Sequence, residues 1–196
     1  MTVIAPTSLL QRPDQRRAVQ TITLAFAGDP VCRWCWPDLD QYLEAMPAFT
    51  TAFGGRAFAH ETAFCTADYR GVALWLPPGI GVDEAGVDAV LQSSIEPARQ
   101  AELYRMFEDM ATYHPAEPHW YLPLIGVDPG AQGQGYGGSL LQQSLQRCDE
   151  EGIIAYLEAT SERNIPLYQR HGFQIVGTIQ VGSSPPLVPM LRQPQA

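Results

Sequence analysis

Between Leu124 and Leu141 an apolar run passes through Gly126, Val127, Asp128 and Pro129 into a turn holding Gly133, Gly135, Gly137 and Gly138. An amphipathic, helix-like stretch follows at once. Glycine at a helix interior position is worse than alanine by ~1 kcal/mol, so this clustering needs a reason beyond a tight connection. Side-chain-free positions let backbone N–H groups approach an anion closely. A helix start adds unsatisfied donors and the positive end of its dipole. The segment predicts a strand–loop–helix unit that binds phosphate without a basic residue, inside an α/β fold.

Composition narrows the setting. All twelve basic residues are arginine. Without lysine there is no Walker loop, no Schiff base and no lysine nucleophile. A net charge of -9 opposes nucleic-acid binding, which needs clustered positive charge. No run approaches the ~18 apolar residues of a membrane span. The start, Met1 to Pro6, has neither a charged leader nor a long apolar stretch, so no signal peptide and a cytoplasmic protein are expected. Cys32 and Cys35 form a Cys-x-x-Cys pair in a Pro-flanked stretch without a second ligand pair, which reads as packing or loop rather than metal or redox chemistry.

The hydrophobic pattern predicts a strand at Ser8–Arg12 and a helix from Pro13 to about Ala27. A tryptophan-rich loop follows, then a helix from Leu39 to about Gly54 interrupted near Pro47. Arg56–Thr66 and Gly71–Leu76 read as a hairpin-like pair, 83–113 as helical, and His119–Val127 as a strand. After the glycine turn and its helix come a buried strand Ile153–Glu158, a short helix Arg163–His171, and strands Phe173–Val181 and Leu187–Leu191. The order describes one mixed α/β domain.

Gly133-x-Gly135-x-x-Gly138 formally matches a dinucleotide fingerprint, with Glu158 where a ribose-binding acid would sit. That reading fails on position, because only 38 residues follow Glu158 and they cannot supply the remaining parallel strands. Gln132-x-x-Gly135-x-Gly137 after Val127-x-Pro129 instead resembles the acetyl-CoA pyrophosphate loop of the GNAT superfamily of N-acetyltransferases. Leu157 to Phe173, with Asn164, Tyr168 and Gly172-Phe173, resembles the family's following strand and helix. Glu117–Leu122, Asn164–Tyr168 and Ala73–Trp75 are similar to the puromycin N-acetyltransferase-like members. One departure is Gln134, where many members carry a basic residue, so phosphate binding would lean more on the backbone.

The resemblance implies a single-domain α/β GNAT fold over residues 1–196, its acetyl-CoA-binding half at about 117–196. Its mixed central sheet would have an antiparallel front half, splayed parallel fourth and fifth strands (119–127 and 153–158) and flanking helices. It implies acetyl-CoA as co-substrate and no metal. Gln132, Gly133, Gln134, Gly135, Tyr136, Gly137 and Gly138 would anchor the diphosphate. Free backbone groups of Ile125, Gly126 and Val127 would pair with the pantetheine amides, and Asn164 would hold the cofactor arm.

Tyr168 is the candidate acid for the departing thiolate, since a phenol pKa of about 10 lies near that of an alkyl thiol. Glu158 is the candidate base, or else an ion partner of the substrate ammonium or of Arg163. His119 is the next candidate base, or an exposed structural histidine. Trp120 and Tyr121 alternate along one strand, so one faces the acceptor and the other packs. Asp29, Trp34 and Trp36 would roof the acceptor site. The expected activity is acetyl transfer to a primary amine of a small molecule by direct attack in a ternary complex, with no nucleic-acid or membrane partner and a homodimer as the default assembly. The competing readings are a non-catalytic acyl-CoA-binding or sensor domain, and a peptide or protein N-acetyltransferase.

Overall fold

The computed structural model describes residues 13–195. The strand expected at Ser8–Arg12 lies outside them. Helix α1 spans Gln15–Ala25, with the Asp14 carboxylate accepting from the Arg17 N–H as its N-cap. Where a tryptophan-rich loop was expected, Pro30–Cys35 forms a short helix, α2. Its signal was in the sequence: Asp29 caps it by accepting from the Val31 and Cys32 N–H groups, and Pro30 occupies the first turn, where no donor is lost.

Helix α3, Leu39–Gly54, runs through Pro47 without the expected interruption. Proline removes one helical hydrogen bond. Burial of Tyr42, Ala45 and Met46 before it, and of Thr50 and Ala52 after it, holds both halves to the core. Arg56–Ala59 is a helical turn, α4, so the strand expected from Arg56 shortens to β1, Ala63–Cys65. Strand β2 is Gly71–Leu76, and all six of its residues are buried, as befits a central strand. Helices α5 (Glu84–Ser94) and α6 (Pro97–Tyr113) fill the stretch read as helical.

Strand β3 (Trp120–Val127) leads through a short 3₁₀ turn at Pro129–Ala131 into α7 (Tyr136–Glu151). Strand β4 is Ala155–Ala159, and α8 is Ile165–Arg170. Strand β5 is only Gln174–Ile175, much shorter than the strand expected to reach Val181, although Ile179 adds an isolated bridge to Leu187. Strand β6 is Val188–Arg192. The sheet order is β1-β2-β3-β4-β6-β5, parallel only between β3 and β4. Among the described residues no helix is long and apolar enough to cross a membrane.

Two cores sandwich the sheet. Val72, Leu74 and Leu124 face the helices from α1 to α6, whereas Ala73, Trp75, Trp120 and Leu122 face α7 and α8. Leu122 and Leu124 are two residues apart yet meet opposite cores. The register explains this: Leu74 pairs with Leu124 but Leu76 pairs with Tyr121, leaving one extra residue in β3. A β-bulge at Leu122–Pro123 therefore reverses the alternation, and Pro123 sits where proline is tolerated in a sheet.

Beyond the bulge, Gly126 allows α1 to press on β3. A Cβ there would stand 2.7 Å from Ala25 Cβ. At the far edge, the Arg192 guanidinium donates to both carboxylate oxygens of Asp149 at 2.6 and 2.8 Å, and to the His171 carbonyl. These bonds tie β6 to α7 and to the end of α8. Arg192 is 3% exposed, so removing its partner leaves a buried unpaired charge. Asp149→Ala is expected to cost about 3 kcal/mol in urea unfolding at neutral pH. Asp149 is held below its ordinary 3.8, first by the Arg192 bonds. The wild-type advantage is thus complete above that value and fades as the pH falls through the lower folded one, which paired unfolding curves would follow.

Candidate active site

The bulge also decides where the sheet opens. β3 and β4 pair only at Trp120↔Ala155 and Tyr121↔Tyr156, and the pairing stops just before Leu122. Past that point β3 keeps β2 on one side, while its other edge has no strand. Ile125, Gly126 and Val127 lie on that free stretch and line a cleft of about 690 Å³. Gly133, Gly135, Gly137, Gly138, Asn164 and Tyr168 line the same cleft. The residues expected to hold a cofactor line this cleft, apart from Gln134.

The loop's conformation explains its glycines. Gly133 and Gly135 adopt φ of +75° and +93°, and a Cβ at either would meet nothing within 4 Å. The left-handed backbone, rather than crowding, requires glycine there, and the space above it is open. The side chains of Gln132 and Gln134 turn inward, donating to the carbonyls of Val127 (3.3 Å) and Gly130 (3.1 Å). Tyr136 is buried, with its hydroxyl donating to Asp68 at 2.8 Å, so only its backbone is available at the helix start. Asn164 makes no side-chain capping bond. Arg163 and Arg170 bring positive charge to the cleft wall.

Asp29 stands at the junction. Besides capping α2, it accepts from the Thr160 hydroxyl at 2.5 Å. Burial pushes its carboxyl above the ordinary 3.8, with these hydrogen bonds opposing the shift. Tyr168 is buried, and that burial raises its phenol above 10, with the nearby Asp29 charge adding to the effect. The match to a free alkyl thiol expected from sequence is therefore shifted toward the protonated phenol.

Across the fork lies a smaller chamber of about 70 Å³, lined by Trp36, Cys32, Thr160 and Glu158 among others. The Glu158 side chain is 4% exposed. Its Oε2 accepts from the Tyr121 hydroxyl at 2.9 Å. Its Oε1 has no well-aligned hydrogen bond, although His114 Nε2 stands 3.2 Å away. His114 Nδ1 in turn lies 3.3 Å from His119 Nε2, and His119 Nδ1 is 2.9 Å from the Glu117 carbonyl. A chain of ionisable groups thus leads from a buried carboxylate outward. Arg163 lies on the cofactor cleft and forms no ion pair with Glu158 among the described residues.

Tyr121 and His119 also line an outer cleft of about 590 Å³. Trp120 faces the other core, with its indole N–H donating to Glu151 at 2.8 Å, so of the alternating pair Tyr121 faces the site. Trp34 lies outside the three cavities and donates to Ser183 at 3.0 Å. His114 and Thr160 were missed from sequence. His114 follows the last residue of α6 and precedes a proline, a helix-end signal that says nothing of chemistry. A larger groove between α1 and α3, about 920 Å³, contains none of the candidate residues. Burial raises both thiols of the Cys-x-x-Cys pair, Cys35 to about 12, which leaves them unreactive packing groups.

Residues 95–173, spanning α6 to α8, match the family model of the Acetyltransferase (GNAT) family. An uncharacterized N-acetyltransferase of Schizosaccharomyces pombe is 26% identical over 206 residues, covering 95% of this chain and 82% of that protein. A mycothiol acetyltransferase of Propionibacterium freudenreichii is 37% identical over 71 residues, 35% of this chain but only 22% of that protein. Among solved structures, "histone acetyltransferase HPA2 and related acetyltransferase" from Corynebacterium glutamicum superposes with a TM-score of 0.68 at 24% identity, covering 97% of each chain.

The chain has the GNAT fold and is an acyltransferase. In this GNAT fold the parallel step between β3 and β4 is the one expected from sequence, and the cleft opens beside it.

Asp29 offers a direct test of the site's electrostatics. Asparagine keeps the capping oxygen and can bond Thr160 but carries no charge to bury. Asp29→Asn is expected to raise the urea midpoint at pH 7. Because the folded Asp29 pKa lies above the unfolded 3.8, that gain shrinks as the pH falls through the folded value and is gone below 3.8. A gain that persists in acid would overturn this account.

Proposed function

We propose that the chain transfers the acetyl group of acetyl-CoA to a primary amine of a small molecule, by direct attack in a ternary complex. The observation that carries this reading is the meeting of two spaces at the β3–β4 fork. A long cleft beside the glycine loop and a chamber around Glu158 share Phe26 as a wall and are linked by the Asp29–Thr160 bond. The open, positive-φ loop, the free edge of β3 and the cations Arg163 and Arg170 suit a diphosphate carrying an amide-rich arm.

Bound there, acetyl-CoA would supply the activated acetyl group. A backbone N–H in the Ile125–Val127 stretch would polarise its carbonyl. Glu158 takes a proton from the ammonium on Oε1, leaving a neutral nitrogen. The N–C bond forms as the C–S bond breaks, and Tyr168 gives its proton to the sulfur. Once that first proton has passed from Glu158 to His114, the carboxylate takes the second proton from the nitrogen. Of the two protons released, one restores Tyr168 and the other leaves by His114 and His119. Desolvation raises thiol and phenol alike in one cleft, which keeps their proton affinities close.

The small volume of the chamber at Glu158 favours a small amine over a peptide. The likeness to puromycin-modifying members covers the cofactor half best, and specificity does not follow from it. All four cysteines are free and buried, which supports a reducing compartment such as the cytoplasm.

Tyr168→Phe keeps the ring packed against Phe173, whose centroid lies 6.2 Å away. It is expected to lower kcat by about 10²–10⁴-fold, the usual weight of a positioned acid. Coenzyme A affinity, measured by calorimetry, is expected to stay unchanged. Wild-type kcat in this variant would remove Tyr168 from the mechanism.

A further inference from the structure

We infer that Thr160 holds the acceptor nitrogen during transfer. Its oxygen accepts one N–H of the amine while Glu158 accepts the other, so the site selects a primary amine over a nucleophile with a single N–H or O–H. This rests on the acetyl-transfer reading above and deepens it by naming a second residue that touches the amine.

Glu158 and Thr160 stand two residues apart at the end of β4, so their side chains leave the same face of the strand. Both line the chamber. β3 and β4 run parallel, and their pairing ends at Tyr121↔Tyr156. Thr160 lies beyond that pair. It is therefore on the open side of the fork, where Ile125–Val127 have their free edge and Asp29 lines the cofactor cleft.

A threonine hydroxyl has one proton to give and two lone pairs to offer. The Thr160 proton is given to Asp29 Oδ2 at 2.5 Å, and among the described residues nothing donates to Thr160. Asp29 is itself held in place, because its Oδ1 accepts from the N–H groups of Val31 and Cys32 at 3.0 and 3.1 Å. Toward the chamber Thr160 thus offers lone pairs only. Glu158 Oε1 also lacks a well-aligned hydrogen bond. The Tyr121 hydroxyl and the Trp36 indole N–H, which belong to the same lining, are already given to Glu158 and Ser94. Thiols apart, the chamber presents acceptors and no free donor.

A neutral primary amine carries two N–H bonds and one lone pair. With one N–H on Glu158 and the other on Thr160, the lone pair is the direction left for attack on the thioester carbonyl. As the N–C bond forms, Glu158 takes its proton, whereas Thr160 keeps its hydrogen bond and moves none. An alcohol has a single O–H. Once that is on Glu158, Thr160 faces an oxygen lone pair and repels it. A secondary amine likewise spends its one N–H on Glu158 and leaves Thr160 unpaired, which costs the desolvation of that oxygen.

The test is release of free thiol from acetyl-CoA by the full chain with 2-phenylethylamine, hexylamine and 3′-amino-3′-deoxyadenosine. The fastest of the three is then compared with its N-methyl derivative. Thr160→Val keeps the shape without the oxygen. It is expected to lower kcat for the primary amine by about ten- to a hundredfold, to leave the N-methyl derivative nearly untouched, and to keep coenzyme A affinity. Thr160→Ser is expected to retain most of the wild-type rate. Asp29→Asn reverses the polarity of the threonine: the Asn Oδ1 must stay on the α2 N–H groups, so its NH₂ donates to Thr160 and turns the threonine proton toward the chamber. Its kcat for the primary amine is expected to fall by a similar factor although its fold is retained.

Wild-type kcat in Thr160→Val, or in Asp29→Asn, overturns the inference and leaves acetyl transfer standing. Equal losses with the primary and the N-methyl amine do the same, because a merely structural threonine would not tell them apart. Tight coenzyme A binding with none of the three primary amines acetylated, nor spermidine, overturns the acetyl-transfer reading as well.

Discussion

The β-bulge at Leu122–Pro123 does two jobs in the molecule. It shifts which sheet face each later side chain of β3 meets, sending Leu124 to the helices from α1 to α6 while Leu122 stays under α7. It also coincides with the end of pairing to β4, after Tyr121↔Tyr156. Bulges bend their strand and increase its local twist, so the two strands diverge from there. The divergence gives Ile125–Val127 an unpaired edge. The residues that close the fork, Tyr121 and Tyr156, stand beside Glu158, so the candidate base and the free backbone lie near the same point.

Around that opening, each wall is anchored for ordinary structural reasons. The α1 helix can press on β3 because Gly126 has no side chain to hold it off. The α2 helix, capped by Asp29, carries Cys32 and Cys35 to the chamber and Asp29 to the cofactor cleft. The α7 helix begins at Tyr136, locked to the β1–β2 turn through Asp68, which fixes the glycine loop from behind. The loop's own glutamines brace it from within. Rigid support beneath and open space above is what binding by backbone donors requires, because such donors cannot swing toward a ligand as a lysine can.

Much of this was legible in the chain. Strand–glycine loop–helix at 120–151, the following strand, and the short helix bearing Asn164 and Tyr168 all stand where expected, because local glycine, proline and apolar spacing encode them. The structure departs from local pattern where local and long-range preferences compete. Pro47 predicts an interruption, yet packing on both sides of it outweighs one lost hydrogen bond. Arg56–Ala59 reads as strand but forms a helical turn between α3 and β1. Phe173–Val181 carries strand-like residues, but only Gln174 and Ile175 find a partner of matching register in β6.

By itself the amino-acid order determined that a glycine-rich turn joins a strand to a helix, since Gly133 and Gly135 supply the left-handed backbone that this turn uses. It also determined that Tyr121 and Trp120 face opposite ways, since side chains alternate along a strand. Only the tertiary structure decided which of the two meets the acceptor side. It alone joined Glu158 to His114, whose positions 44 residues apart in the chain carry no hint of each other. Local patterning fixes conformation over a few residues, whereas a reaction space is made of residues from distant segments, and their meeting depends on packing and register across the whole sheet.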